Sequence, residues 1–165
     1  MELDTKLVYL LLGSNLGDRA SLLDQAIKHI AEIVGTVEAI SSVYETAPWG
    51  KTDQPGFLNV AVSVATICTA EEVLDKVLAI ERLMGRVREE RWGSRIIDID
   101  IILYGTEILN IPGTLQVPHP EMQNRRFVLE PLNEIAASTI HPVLGKTVEE
   151  LLVDLADDLA VWKIN

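Results

Sequence analysis

The order of strand-like and helical patterns restricts the fold of this chain more than any single motif does. Apolar residues recur with the periods of strand, helix, strand, strand, helix and strand over residues 7–12, about 21–34, 37–47, 57–67, 69–85 and about 96–104. This order predicts the α+β class and a ferredoxin-like βαββαβ sandwich with additional C-terminal elements. In such a sandwich two helices cover one face of an antiparallel sheet, and the other face can stay open.

Two capping boxes mark where two of the helices begin more sharply than the apolar periodicity does. Residues 69–72 and 147–150 both read Thr-x-x-Glu, the pattern in which the first and last side chains bond each other's backbone N–H groups. The second box predicts a C-terminal helix through about Leu159. Between the boxes we expect a short strand at 115–117 and a helix within RFVLEPLNEIA. With 165 residues, no repeat and no linker, the sequence predicts one domain over residues 1–165.

Composition excludes several classes of protein. The net charge of −11 disfavours a nucleic-acid partner. The apolar runs are far shorter than the roughly 18 residues of a membrane span, and the N-terminus lacks the pattern of a signal peptide. The single cysteine, Cys68, cannot form an internal disulfide and indicates a reducing compartment. We therefore expect a cytoplasmic protein that acts as a monomer.

Two aspartates interrupt an otherwise apolar strand in the stretch RWGSRIIDIDIILYG. Asp98 and Asp100 share one face of that strand, because side chains alternate, and their backbones are about 6–7 Å apart. The simpler interpretation is that this face meets water. The other is a Mg²⁺ site, since Mg²⁺ prefers one or two carboxylates completed by phosphate oxygens and waters. Asp-x-Asp alone does not decide, because nucleases and metal-dependent glycosyltransferases use similar pairs.

Arginines are concentrated beside the aspartate pair in a chain that is otherwise acidic. Five of the eight fall between residues 82 and 95, and Arg125 and Arg126 follow His119 closely. Guanidinium groups bind phosphate through paired N–H donors, so the cluster indicates a site for a compact anion. Part of the cluster, including Arg82 and Arg126, is interpreted as solvated surface.

Four stretches of the chain, in order, resemble one enzyme family. They are LLLGSNLGDR, YETAPWG followed by DQPGFLN, GRVREERWGSRIIDIDII, and VPHPEMQNRRFVLEPL. Over about residues 7–155 the chain resembles the 6-hydroxymethyl-7,8-dihydropterin pyrophosphokinases, which transfer pyrophosphate from ATP to a pterin alcohol in folate biosynthesis and release AMP. The resemblance implies a ferredoxin-like fold, ATP and 6-hydroxymethyl-7,8-dihydropterin as substrates, and two Mg²⁺ ions.

The resemblance also implies roles for individual residues. The ligands of the two Mg²⁺ ions would be Asp98 and Asp100. The catalytic residues facing the triphosphate would be Arg86 and Arg95. The other ATP-binding residues would be Glu81, Arg88, Trp92, Ile101, His119 and Arg125, with Arg88 and Trp92 in a loop that closes over ATP. The pterin would be bound by Thr46, Trp49, Phe57, Asn59 and Phe127, with Asn15 supporting the site from behind.

Other interpretations stay open at the level of sequence. Phe57 and Phe127 fit ordinary core packing, and a lone loop histidine such as His119 is often only solvated. The position of Phe57 and Asn59 on one strand face favours a slot for a flat ring with a polar edge. Pro120 departs from the tyrosine found in some family members. Two further functions are a metal-dependent phosphohydrolase and a nucleotide-binding module without turnover.

Overall fold

The computed structural model describes residues 4–15, 18–47, 56–85, 97–157 and 159–164. Eight strands and four α-helices follow one another along these ranges. The strands are β1 Lys6–Ser14, β2 Thr36–Ile40, β3 Tyr44–Thr46, β4 Phe57–Thr66, β5 Asp98–Tyr104, β6 Leu109–Ile111, β7 Leu115–Val117 and β8 Val161–Lys163. The helices are α1 Arg19–Ile33, α2 Ala70–Gly85, α3 Arg126–Ala136 and α4 Val148–Asp154, with a short 3-10 helix at Met122–Asn124. No helix within these ranges is long and apolar enough to cross a membrane.

The main sheet has six strands in the order β5-β1-β4-β3-β8, with β2 pairing with β4 alongside β3. Every pairing in it is antiparallel. The predicted βαββαβ order is therefore confirmed, but the segment 37–47 forms two strands instead of one. Ser41 causes the break, because its hydroxyl oxygen accepts a hydrogen bond from Ala61 N (2.9 Å) where a strand would present a carbonyl.

Both faces of the sheet are packed, and the alternation along β1 shows how. Val8, Leu10 and Leu12 are fully buried on the side of α1 and α2. Tyr9 and Leu11 point to the opposite side, where they join a second apolar cluster with α3 and α4. The face that the sequence left open is thus partly covered by the C-terminal helices. The uncovered part of that face is where the candidate site lies.

The C-terminal region differs from its prediction. The capping box at Thr147 and Glu150 is present, so the predicted start of α4 is confirmed. The helix ends at Asp154 and does not reach Leu159. After it, the carboxylate of Asp157 accepts hydrogen bonds from the backbone N–H groups of Arg126 (3.0 Å) and Leu159 (3.0 Å). These bonds hold a non-helical turn that leads into β8 on the edge of the sheet.

Candidate functional site

Two cavities lie on either side of Asp100. The larger, about 830 Å³, occupies the part of the sheet face that α3 and α4 leave uncovered. The smaller, about 340 Å³, lies at the β5 edge between α2 and the β6–β7 hairpin. Asp100 lines both cavities, and Asp98 lines the larger one. The strand singled out by its two aspartates therefore separates two places where small molecules can bind.

The larger cavity brings together the described residues of the predicted pterin set. They are Thr46, Phe57, Asn59 and Phe127, with the supporting Asn15. The strands set this arrangement, because Thr46 is paired with Phe57 across β3 and β4. Within the described part of the chain, the buried Oδ1 atom of Asn15 has no hydrogen-bond partner. Two aromatic rings and several amide or hydroxyl groups around one space suit a flat heterocycle with a polar edge.

Asn59 is held rigidly at the floor of this cavity, where only 4% of its surface is exposed. Its Oδ1 accepts from Thr46 Oγ1 (3.3 Å), and its Nδ2 donates to the carbonyl of Leu12 (3.4 Å). Gly13 lies opposite Asn59 in the sheet, and a Cβ atom there would stand 2.7 Å from Nδ2 and 3.6 Å from the ring of Phe57. The absence of a side chain at Gly13 thus leaves room for both groups.

The aspartate pair has the geometry that alternation predicts. Asp98 is paired with Gly13 and Asp100 with Leu11, so both carboxylates project over the face that holds the larger cavity. Asp100 is exposed and Asp98 is partly buried, whereas Ile99 is buried on the opposite side. No cluster of three or more metal-ligating side chains occurs among the residues described. Two carboxylates without a surrounding cage fit Mg²⁺, which completes its shell with phosphate oxygens and waters.

His119 is oriented by two backbone groups. Its own N–H donates to the carbonyl of Ile102 (2.9 Å), and its Nδ1 accepts from Glu121 N (3.1 Å). In the neutral ring the proton is therefore on Nε2, which is left to donate to a ligand. Burial lowers the pKa of His119, although Asp100 raises it and Arg125 lowers it further. The histidine thus supplies a fixed hydrogen-bond donor at the smaller cavity.

The carbonyl that accepts the hydrogen bond from His119 N belongs to a bulged residue of β5. Tyr9 is paired with Leu103 and Leu10 with Ile101, so Ile102 is an extra residue in β5. A bulge bends its strand and changes which face the following side chains occupy. Ile102 and Leu103 accordingly both pack against the cluster of α3 and α4. On the face of β5 that carries Asp98 and Asp100, the residues after Asp100 are therefore packed against the helices and do not line the larger cavity.

The other described residues of the predicted ATP set divide between the cavities. Glu81 and Ile101 line the smaller one, and Glu81 Oε2 accepts from the backbone N–H of Ile99 (2.7 Å). Arg125 lines the larger one, and its guanidinium carbon lies 5.8 Å from the centre of the Phe127 ring. A cation this close to an aromatic face is attracted to it. Arg125 therefore connects the predicted phosphate residues to the predicted pterin residues.

Five predicted site residues lie outside the part of the chain that the structure describes. They are Trp49, Arg86, Arg88, Trp92 and Arg95.

Arg19 is a residue beside the site that the sequence analysis missed. Its Nη1 donates both to Glu45 Oε2 (3.0 Å) and to the carbonyl of Gly56 (2.7 Å). Gly56 packs so closely that a Cβ atom would stand 2.0 Å from the carbonyl of Thr46. Arg19 thereby joins the end of β3 to the start of β4, where Phe57 lies. A signal was available, since Arg19 is the one arginine outside the two clusters and follows the GSNLGD turn.

Arg126 is a second correction, because the prediction that it is solvated surface is wrong. About a quarter of its side chain is exposed (27%), and it donates hydrogen bonds to Asp157 and Glu130. Its partner Asp157 lines the larger cavity together with Leu155, Ala156 and Leu159. The C-terminal residues therefore contribute to the site, which no motif in the sequence indicates.

Comparison with known proteins shows the family to which the chain belongs. The fold and the two adjoining cavities define an α+β sandwich with a two-part site for small molecules. The family model described as 7,8-dihydro-6-hydroxymethylpterin-pyrophosphokinase matches residues 9–137. The chain is 46% identical over 149 residues to a 2-amino-4-hydroxy-6-hydroxymethyldihydropteridine pyrophosphokinase of Methylorubrum extorquens, covering 89% of this chain and 92% of that protein. A Bacillus subtilis protein of the same name is 45% identical over 158 residues, covering 95% and 90%. The chain belongs to this pyrophosphokinase family.

Solved structures agree with the fold. A Plasmodium falciparum HPPK-DHPS is similar with a TM-score of 0.75 at 20% identity over 92% of this chain, and another reaches 0.74 at 20% identity. The ferredoxin-like prediction is confirmed by this likeness. The chain spans less than half of those solved chains, 46% and 43% respectively.

Proposed function

We propose that this protein transfers pyrophosphate from ATP to the hydroxymethyl group of 6-hydroxymethyl-7,8-dihydropterin and releases AMP, a step of folate biosynthesis. Family membership supports the reaction. The observation that carries the assignment of the site is the position of Asp100 between two cavities. A transfer reaction needs donor and acceptor side by side, which two adjoining cavities support, and the carboxylate between them would hold the cation that compensates the charge of the phosphates.

The larger cavity is proposed as the acceptor site. The rings of Phe57 and Phe127 would bind the two faces of the pterin, while Asn59 and Thr46 would bond its polar edge. Trp49 is added from the family resemblance. The rigid hold on Asn59 supports this role, because an amide fixed in advance loses little freedom on binding.

The phosphates of ATP are proposed to lie across Asp98 and Asp100, with the nucleoside in the smaller cavity near Glu81 and Ile101. Mg²⁺ held by the two carboxylates, as two ions by family resemblance, would supply the positive charge that a triphosphate requires. His119 donates from Nε2 and Arg125 from its guanidinium to phosphate oxygens. Arg86, Arg88, Trp92 and Arg95 complete the donor site by resemblance alone.

The reaction then follows from positioning. The hydroxymethyl oxygen attacks the β-phosphorus in line and gives up its proton to water, and the bond from that phosphorus to the α-phosphate oxygen breaks. AMP leaves, and the pterin carries the diphosphate. Catalysis comes mainly from aligning the two substrates and from stabilising negative charge on the transferred group.

Product analysis tests this function. The purified protein is incubated with ATP and Mg²⁺, with and without the pterin alcohol, and nucleotides and pterins are separated. We expect AMP and pterin diphosphate in equal amounts, and only when both substrates are present. Release of phosphate without the acceptor would indicate a phosphohydrolase instead. ATP binding without any product would indicate a binding module.

The organisation of the protein is proposed as one cytoplasmic domain, residues 1–165, that acts as a monomer without nucleic-acid or membrane partners. The main sheet supports a single domain, because its strands come from residue 6 to residue 163 of the chain. Cys68 is buried as a free thiol. Light scattering during size-exclusion chromatography checks the oligomeric state, and a mass near twice the 18.3 kDa of one chain would contradict it.

A further inference from the structure

We infer that residues 155–157 and 159, here called the C-terminal wall, determine how tightly the acceptor binds, and that Arg126 and Asp157 are the positioning residues that hold this wall in place. The inference rests on the proposed function, because it assigns the larger cavity to the acceptor. It concerns residues that the family resemblance did not point to.

The C-terminal wall forms one side of the larger cavity. The residues of the wall that line it are Leu155, Ala156, Asp157 and Leu159, and the same cavity is lined by Phe57 and Asn59. Leu155 caps the end of α4 by donating its N–H to the carbonyl of Leu152 (3.2 Å), whereas Ala156, Asp157 and Leu159 lie outside both α4 and β8. A wall of irregular backbone needs side-chain bonds to keep one shape.

Arg126 supplies those bonds through the paired donors of its guanidinium. Its Nε and Nη2 both donate to the carbonyl of Asp157, at 3.2 and 3.1 Å. Its backbone N–H donates to the Asp157 carboxylate at 3.0 Å, and its Nη1 donates to Glu130 at 3.2 Å. The other carboxylate oxygen of Asp157 accepts from Leu159 N at 3.0 Å. The wall is therefore bonded to the start of α3 through Asp157, and Leu159 is bonded in turn to Asp157.

The bonds between Arg126 and the wall also affect the two residues on either side of Arg126. Arg125 and Phe127, its two neighbours, line the same cavity. Backbone hydrogen bonds, first of all the one from Arg126, lower the pKa of Asp157, so its carboxylate stays charged at the N-terminus of α3. The same bonds fix the wall and the segment that presents the aromatic ring, so a shift of one moves the other.

The effect should be larger for the acceptor than for ATP, for which Arg125 is one of several proposed contacts. No residue of the C-terminal wall lines the smaller cavity, whose lining includes Glu81 and His119. Loosening the wall therefore changes the space for the pterin and leaves the nucleoside side intact. This separation distinguishes a positioning role from a general role in stability, which would disturb both substrates alike.

The test replaces Arg126 by lysine, which keeps the charge and loses the fork. We expect the KM for the pterin alcohol to rise about tenfold and the KM for ATP to rise by a smaller factor, because the neighbouring Arg125 is a proposed phosphate contact. Asp157→Asn should act in the same direction and decides the matter if Arg126→Lys does not fold. Lys146→Ala is the control, because it breaks an exposed ion pair to Asp154 (2.9 Å) and neither residue lines either cavity.

Two outcomes would overturn the inference. One is an unchanged acceptor KM in every folded variant of Arg126 and Asp157. The other is an equal rise in both KM values, which would mean general disruption. Direct titration of 6-hydroxymethylpterin, followed by its own fluorescence, repeats the test without turnover. A wild-type protein that binds the pterin but makes no AMP would refute the proposed function while leaving the effect on binding measurable.

Discussion

Replacing Gly13 by alanine tests the architecture of the acceptor site most sharply. The new Cβ atom would stand 2.7 Å from Asn59 Nδ2, and ordinary contact begins near 3.4 Å, so the amide must move by the difference of about 0.7 Å. Its hydrogen bond to Leu12 is already 3.4 Å long and cannot survive such a shift. Overpacking of this kind costs about 1–3 kcal/mol, which corresponds to roughly a 5- to 150-fold loss of acceptor affinity if it falls on binding.

The assay is steady-state kinetics at saturating ATP with the pterin alcohol varied. A matched control is Gly145→Ala, because Gly145 has a φ of +71° with open space around it and lies in the loop before α4. Alanine there costs about 1–2 kcal/mol of backbone strain without touching the cavity. We expect both variants to melt at lower temperature and only Gly13→Ala to raise the acceptor KM. A wild-type acceptor KM in Gly13→Ala, or the same rise in both, would refute the reasoning.

Three further predictions concern the surroundings of the site. Arg19→Leu should raise the acceptor KM several-fold at unchanged ATP KM, because it removes the single nitrogen that donates to both Glu45 and Gly56. Burial alone would raise the pKa of Glu134, but the hydrogen bonds from Ser42 outweigh burial and leave the pKa lowered. Stability is therefore lost as the pH falls through this pKa, and a plot of melting temperature against pH should be flatter there for Glu134→Gln. Burial lowers the pKa of His141, so the melting temperature should begin to fall below about pH 6.5, where the unfolded histidine gains a proton that the folded one excludes. The fall should be smaller in His141→Asn, and what remains includes the contribution of His119, whose pKa burial also lowers.

Local periodicity explains which parts of the fold could be predicted from the sequence. The alternation that places Asp98 and Asp100 on one face is a property of any strand, and it held here. The capping box at Thr147 needs only four neighbouring residues and was also correct. The break at Ser41 depends instead on a hydrogen bond to Ala61 in another strand, which residues 37–47 do not reveal.

The C-terminal side of the site depends on contacts that are distant in sequence. Arg126 and Asp157 are 31 residues apart, and each looks like an ordinary surface charge until the chain folds. The helical pattern after Thr147 could not show that Asp157 would bond the start of α3 and end the helix early. The same holds for the bulge at Ile102, which is defined only by its pairing with β1.

The proposed role of Asp98 and Asp100 in holding Mg²⁺ is tested most directly by the single variants Asp98→Asn and Asp100→Asn. The rate of AMP formation is measured for each variant over a range of Mg²⁺ concentrations. Each change removes one carboxylate charge and preserves the shape of the side chain. Asp75→Asn is the control, since Asp75 is exposed on α2 and lines neither cavity. We predict a loss of about 10²–10³-fold in both site variants with melting temperatures close to wild type, and wild-type rates in the control. Wild-type rates with an unchanged Mg²⁺ dependence in either site variant would contradict the account.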